Sequence, residues 1–171
     1  MMRRLALASA LFVAVGSAAP LTAVAGTDTD NLSISSSVSN NCIISTTALN
    51  FNAYDPIVAN KDVYLDGTGT VSTTCTTDAD ATITLSQGQH PANVSTDAVP
   101  LRQLASGANK LAYFLYKDGA RTTVWGNTAL TGVSITGKGT AQDSTVYARI
   151  TAGQNVPAGA YADTVTATVT F

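Results

Sequence analysis

The sequence contains no glutamate, a single histidine and no run of basic residues. Without a cluster of Lys and Arg, nucleic acid and anionic lipid are poor partners for it. The histidine, His90, stands in a proline-containing loop with no Cys or His at ligand spacing, which argues against a transition-metal site. The nucleophile-elbow pattern GxSxG is also absent. These absences predict a protein that is not an enzyme and that binds no metal or cofactor.

Paired aspartates offer the one other candidate for chemistry. Asp62 with Asp66, and Asp78 with Asp80, could act as acid and base or could ligate calcium. Neither pair fits the DxDxDG pattern of a calcium loop. Aspartate is common in surface turns, because its side chain bonds to nearby backbone groups. We therefore interpret both pairs as turn residues.

Long apolar runs are missing beyond the N-terminus. There, Arg3 and Arg4 precede an apolar stretch at residues 5–15, and Ala-Val-Ala at residues 23–25 fits a secretory cleavage site. The apolar stretch is shorter than the ~20 residues of a membrane-spanning helix. Residues 1–25 are thus predicted to be a signal peptide, with no membrane span and with a mature chain that begins at Gly26.

The mature chain of 146 residues is long enough for one domain with one core. Without Arg3 and Arg4 it carries seven basic and eleven acidic residues, a net charge of −4. It has two cysteines, Cys42 and Cys75, and an even count in an exported protein predicts one disulfide. Closing that loop restricts the unfolded chain, which stabilises the fold by about 3–4 kcal/mol in the entropy model.

The last eleven residues have a clear period of two. Thr164, Thr166, Thr168 and Thr170 alternate with apolar residues. The apolar members of the series are Val165, Ala167, Val169 and Phe171. Alternation of this kind, rich in β-branched residues, predicts a half-buried strand. Such a strand needs neighbours on its edges, since unpaired N–H and C=O groups template pairing with another chain.

A weaker alternation occurs near the start of the mature chain. Leu32, Ile34 and Val38 share one parity, and serines occupy the other. The pattern favours an amphipathic strand. A disordered polar tail is the alternative.

Between these two ends, apolar alternation recurs about every ten residues, with turn residues between the segments and no helical periodicity. The predicted strands are residues 42–51, 69–76, 81–88, 110–117, 122–125, 130–136 and 144–150. Two prolines and several Asn, Ser and Gly residues mark residues 90–109 as a loop. This spacing predicts an all-β protein, an antiparallel β-sandwich.

An aromatic cluster lies within and beyond the strongest of these strands. It consists of Tyr113, Phe114, Tyr116 and Trp125. Exposed rings would offer a platform for sugars, but aromatic residues on strands more often belong to the core. We expect these four to be core residues.

Several of these stretches resemble one known family in the same order. They are LNFNAYDP at residues 49–56, GTVSTTCT at 69–76, LAYFLYKDGARTTVWG at 111–126 and VPAGAYADTVTATVTF at 156–171. Together they are similar to the spore coat protein U domain family, which includes the pilin subunits of archaic chaperone–usher pili. The family's first motif usually has glycine where Asn52 stands, a difference confined to a turn.

The resemblance implies an incomplete immunoglobulin-like sandwich, completed by a donor strand from another subunit. It implies a domain at residues 39–171 preceded by a donor segment at residues 26–38, with Leu32, Ile34 and Val38 as the donor side chains. The acceptor groove would include Val165, Ala167, Val169 and Phe171, and the Cys42–Cys75 bridge would stabilise the domain. The implied partners are a periplasmic pilus chaperone, an outer-membrane usher and neighbouring pilin subunits.

These expectations define a structural pilin, exported through the periplasm and displayed on the cell surface in pili that serve adhesion and biofilm formation. Two alternatives remain open on sequence grounds. One is a non-fibrous secreted spore-coat or matrix protein with the same fold. The other is a monomeric secreted carbohydrate-binding module. The sequence also leaves open whether the N-terminal strand pairs with its own domain or with a neighbour.

Overall fold

The computed structural model describes residues 24–171, so the predicted signal peptide lies outside the described residues apart from Val24 and Ala25. The chain divides into two units, Met1–Ser36 and Ser37–Phe171. In the first unit, residues 24–36 form neither helix nor strand. The second unit contains eight strands. They are β1 (Cys42–Thr47), β2 (Leu65–Cys75), β3 (Asp80–Leu85), β4 (Arg102–Ser106), β5 (Asn109–Tyr116), β6 (Val133–Thr136), β7 (Gln142–Ile150) and β8 (Ala167–Thr170).

The strands form two antiparallel sheets. One has the order β1-β2-β7-β5-β4, and the other has the order β6-β3-β8. Residues 24–171 contain no helix, and hence none long and apolar enough to cross a membrane. The prediction of an all-β antiparallel sandwich is confirmed.

Alternate side chains of both sheets meet in one core, as the period of a pleated strand requires. Its buried members are Val71, Ile83, Leu85, Leu111, Tyr113, Leu115, Trp125, Val146, Ala148 and Ile150. Trp125 is fully buried, and its indole Nε1 donates to the carbonyl of Ile83 at 2.9 Å. This bond supplies the hydrogen-bond partner that a buried indole needs.

A disulfide joins Cys42 and Cys75, as predicted. The two residues lie directly opposite each other in the β1–β2 ladder, with 4.1 Å between their Cα atoms. The bond therefore ties the edge strand β1 to its neighbour at one end of the sandwich.

Two predictions within residues 90–125 were wrong. Strand β4 lies within the predicted loop at residues 90–109. It forms a hairpin with β5, in which Ser106 and Asn109 pair across a two-residue connection that begins with Gly107. Gly107 has a φ of 59°, and glycine at this position is typical of tight hairpins. The predicted strand at residues 122–125 is reduced to a single bridge between Tyr116 and Val124.

Candidate functional site

The two sheets leave two strand edges open on the same side of the sandwich. Within the described residues, β1 is hydrogen-bonded to β2 alone, and β8 is hydrogen-bonded to β3 alone. Residues 46–51, at the end of β1, and residues 163–165 and 167, at the start of β8, line one hollow of about 400 Å³. The sandwich is thus incomplete at the place where a further strand would join the sheets.

The floor of this groove is the apolar core itself. Side chains from five strands form it, namely Val71, Leu85, Leu104, Tyr113, Leu115 and Val146. A second hollow of about 660 Å³ shares Leu49, Phe51 and Asp163 with the first and extends to residues 156–162. The two hollows adjoin at residues 49–51, and the apolar floor lies beneath the first of them. A hollow beside an open strand edge suits an extended chain, because such a chain can pair its backbone with that edge.

The four predicted groove residues do not lie together. Val165 and Ala167 line the groove, with their side chains half-buried. Val169 instead packs against the buried cluster of Cys75, Ala79 and Ala81, at the end of the sandwich that holds the disulfide. Phe171 is 52% exposed and lines a separate hollow at the end of β3 and β6. The groove therefore opens away from the disulfide.

A buried arginine connects segments that form the groove's floor. The sequence patterns did not identify this residue. Arg102 on β4 has an exposed fraction of 0%. Its Nε donates to the carbonyl of Ser86 at 2.8 Å, and its Nη2 donates to those of Leu85 and Trp125 at 2.8 and 3.0 Å. Burial lowers the pKa of Arg102 to about 10, so the side chain stays charged at neutral pH. Arg102 thereby joins the edge of the five-stranded sheet to the end of β3.

The carboxylate of Asp163 fixes the groove wall on the β8 side. The hydroxyl of Tyr113 donates to Asp163 Oδ2 at 2.7 Å, and the backbone N–H of Gln89 donates to Oδ1 at 2.9 Å. Burial and this carboxylate raise the pKa of Tyr113, so the hydroxyl keeps its proton. Asp163 belongs to the PAGAYAD stretch of the sequence, where it fixes the C-terminal segment as that segment passes from β4 to β3.

The predicted donor residues are exposed. Leu32 and Ile34 in the first unit are 85% and 86% exposed, and Val38 in the second unit is 86% exposed. Residues 24–41 form no strand, in contrast to the strand predicted around residues 32–38. A strand exists only where its backbone groups pair with another strand, and the alternating pattern alone supplies no such partner.

The aromatic cluster is divided between the core and the surface. Tyr113 and Trp125 are core residues, as expected, but Phe114 and Tyr116 lie on the outer face of β5 with ring centroids 6.1 Å apart. The four rings therefore form no common platform. Within residues 24–171 no three His, Cys, Asp or Glu side chains come together in a way that could hold a metal ion.

The comparisons with known proteins agree with this architecture. Residues 28–168 match the family described as the Spore Coat Protein U domain. The chain belongs to the Spore Coat Protein U domain family. One relative is "Protein U" of Myxococcus xanthus, which is 46% identical over 157 residues. The match covers 87% of this chain and 88% of that protein.

A solved structure shares the fold of this Spore Coat Protein U domain. It is the CsuC–CsuE chaperone–tip adhesion subunit pre-assembly complex from the archaic chaperone–usher Csu pili of Acinetobacter baumannii. The match has a TM-score of 0.57 at 23% sequence identity and covers 78% of this chain. The chain spans 40% of the length of that solved chain.

Proposed function

We propose that this Spore Coat Protein U domain protein is a structural, non-enzymatic pilin subunit that polymerises by donor-strand exchange. The observation that carries the proposal is the open apolar groove between β1 and β8. The alternating residues Leu32, Ile34 and Val38 supply side chains of matching chemistry, and all three are exposed in the single chain.

The physical basis is strand addition. A donor strand in the groove pairs its backbone with the free edge of β8, and its alternate side chains enter the apolar floor. Each buried aliphatic side chain contributes about 1.5–3 kcal/mol from the area removed from water. If the donor segment of each subunit fills the groove of a neighbour, the contact joins two different surfaces, repeats from head to tail and produces a filament.

The same groove explains the proposed partners. An open edge beside an apolar floor invites uncontrolled pairing with other chains. We propose that a periplasmic pilus chaperone covers the groove during export, and that an outer-membrane usher exchanges it for the donor segment of the next subunit. The resulting fibre would lie on the cell surface and serve adhesion and biofilm formation.

A second candidate is a secreted spore-coat or matrix protein that does not form fibres. The description of the family, Spore Coat Protein U domain, favours it. The two candidates differ in whether the subunits assemble into filaments. The carbohydrate-binding alternative has less support, because Tyr113 and Trp125 are buried in the core.

Placing a charge in the groove tests the proposal. We expect Val165→Asp to reduce polymer formation at least tenfold, because a donor strand would bury the new carboxylate without a partner. The matched control is Thr166→Asp, whose side chain lies on the exposed face of the same segment. Polymers are counted by negative-stain electron microscopy of the mature chain co-expressed with a pilus chaperone.

Retention of the Cys42–Cys75 disulfide and of the buried-tryptophan fluorescence shows that each variant is folded. Equal polymer yields from Val165→Asp and Thr166→Asp would contradict the assigned groove. Absence of filaments from the unaltered chain under every condition would favour the spore-coat or matrix protein.

A further inference from the structure

Two glycines lie on the inner face of β2 beside the groove. The side chains of β2 alternate, and Gly67 and Gly69 continue the inward series that contains Val71, Thr73 and Cys75. Glycine within a strand is unfavourable by about 0.5–1 kcal/mol relative to alanine. Its presence often marks a place where another part of the molecule approaches closely.

The space above these glycines is occupied by side chains from residues 49–51. A Cβ atom on Gly69 would lie 3.1 Å from the Cβ of Leu49, and one on Gly67 would lie 3.2 Å from the ring of Phe51. Neither glycine has a positive φ, so the backbone itself would accept another residue. A side chain at either position is therefore limited by space rather than by backbone conformation, and it would displace Leu49 or Phe51 by a few tenths of an ångström.

Leu49 and Phe51 form the groove wall on the β1 side. Strand β1 ends at Thr47, and both side chains line both hollows of the groove. Phe51 also packs edge-on against Tyr113, with ring centroids 6.3 Å apart and an interplanar angle of 69°. Tyr113 in turn donates to Asp163 on the opposite wall. A continuous series of contacts thus crosses the groove floor from one wall to the other.

We propose that Gly67 and Gly69 set the width of the acceptor groove by recessing Leu49 and Phe51 against β2. The inference rests on the proposed function of the groove. A larger side chain at either glycine pushes this wall toward Val165 and narrows the space for the donor's aliphatic side chains. The strand edges themselves stay unchanged, so the effect is on fit and not on the pairing of β1 with β2.

A volume-conserving pair of substitutions tests the inference. A fluorescent peptide of residues 26–41 is titrated into the full mature chain, and its affinity is measured by fluorescence anisotropy. Gly69→Val is expected to weaken binding at least tenfold, because it adds three carbons beneath Leu49. The double variant Gly69→Val, Leu49→Ala loses three carbons at the same place, so its affinity for the peptide is expected to return to within threefold of that of the unaltered chain. The control variant is Thr68→Val, on the exposed face of the same strand, and it is expected to change the affinity for the peptide less than twofold.

A second pair, Gly67→Val with Phe51→Leu, provides an independent measurement if Gly69→Val does not fold. Binding by Gly69→Val equal to that of Thr68→Val would overturn the inference and leave the proposed function intact. Failure of Leu49→Ala to restore binding would also overturn it. If the unaltered chain neither binds the peptide nor polymerises, the proposed function and the inference both fail.

Discussion

Deletion of residues 26–38 is expected to abolish polymer formation and to leave a folded monomer. The deleted residues include Leu32, Ile34 and Val38, and no strand or core residue of the second unit lies among them. The truncated chain keeps its groove, so it should still bind a pilus chaperone. Size-exclusion chromatography and electron microscopy of the co-expressed proteins distinguish monomer–chaperone complexes from filaments.

Two full-length variants separate the role of the side chains from that of chain length. Replacing Leu32, Ile34 and Val38 together by serine should have the same effect as the deletion. Replacing Ser33, Ser35 and Ser37 together by alanine should leave polymers intact, because these residues have the opposite parity. Filaments formed by the deleted chain would show that another part of the protein makes the contact.

Arg102→Met is expected to destabilise the fold by roughly 3 kcal/mol or more. The substitution keeps much of the side-chain volume but leaves the carbonyls of Leu85, Ser86 and Trp125 without their donor. A buried polar group without a partner costs about 1–3 kcal/mol. For a domain of this size we expect the melting temperature to fall by about 10 °C.

Thermal unfolding followed by far-UV circular dichroism measures this change. Arg149→Met is the matched control, because the Arg149 guanidinium donates to the carboxylate of Asp66 at 2.7 and 2.9 Å near the surface, where an ion pair contributes about 0–1 kcal/mol. Equal melting temperatures for the two variants would contradict the structural role assigned to Arg102.

The all-β architecture could be predicted because it depends on local alternation. Strands such as β2, β3, β7 and β8 have a strict period of two that no helix shares. Strand β4 could not be predicted in the same way, since its surroundings are rich in turn residues and its pairing depends on β5. The two-residue connection at Gly107 was the available signal for that hairpin.

The candidate site could be predicted only in part. Parity placed Val165 and Ala167 on one face, but it gave no indication that Val169 packs at the disulfide end of the sandwich and outside the groove. Arg102 reaches carbonyls 16–23 residues away in the sequence, and no local pattern reveals contacts of that range. Likewise, the recess of Leu49 over Gly69 depends on tertiary packing.

The central claim is that the donor segment and the groove that it fills belong to different molecules. Two mature chains of different mass test this claim, one carrying Ile34→Cys and the other Val165→Cys, mixed during assembly and treated with a short thiol crosslinker. We predict a covalent dimer that contains one chain of each mass. The claim would be contradicted if no such dimer forms and a chain that carries both cysteines is crosslinked only within itself.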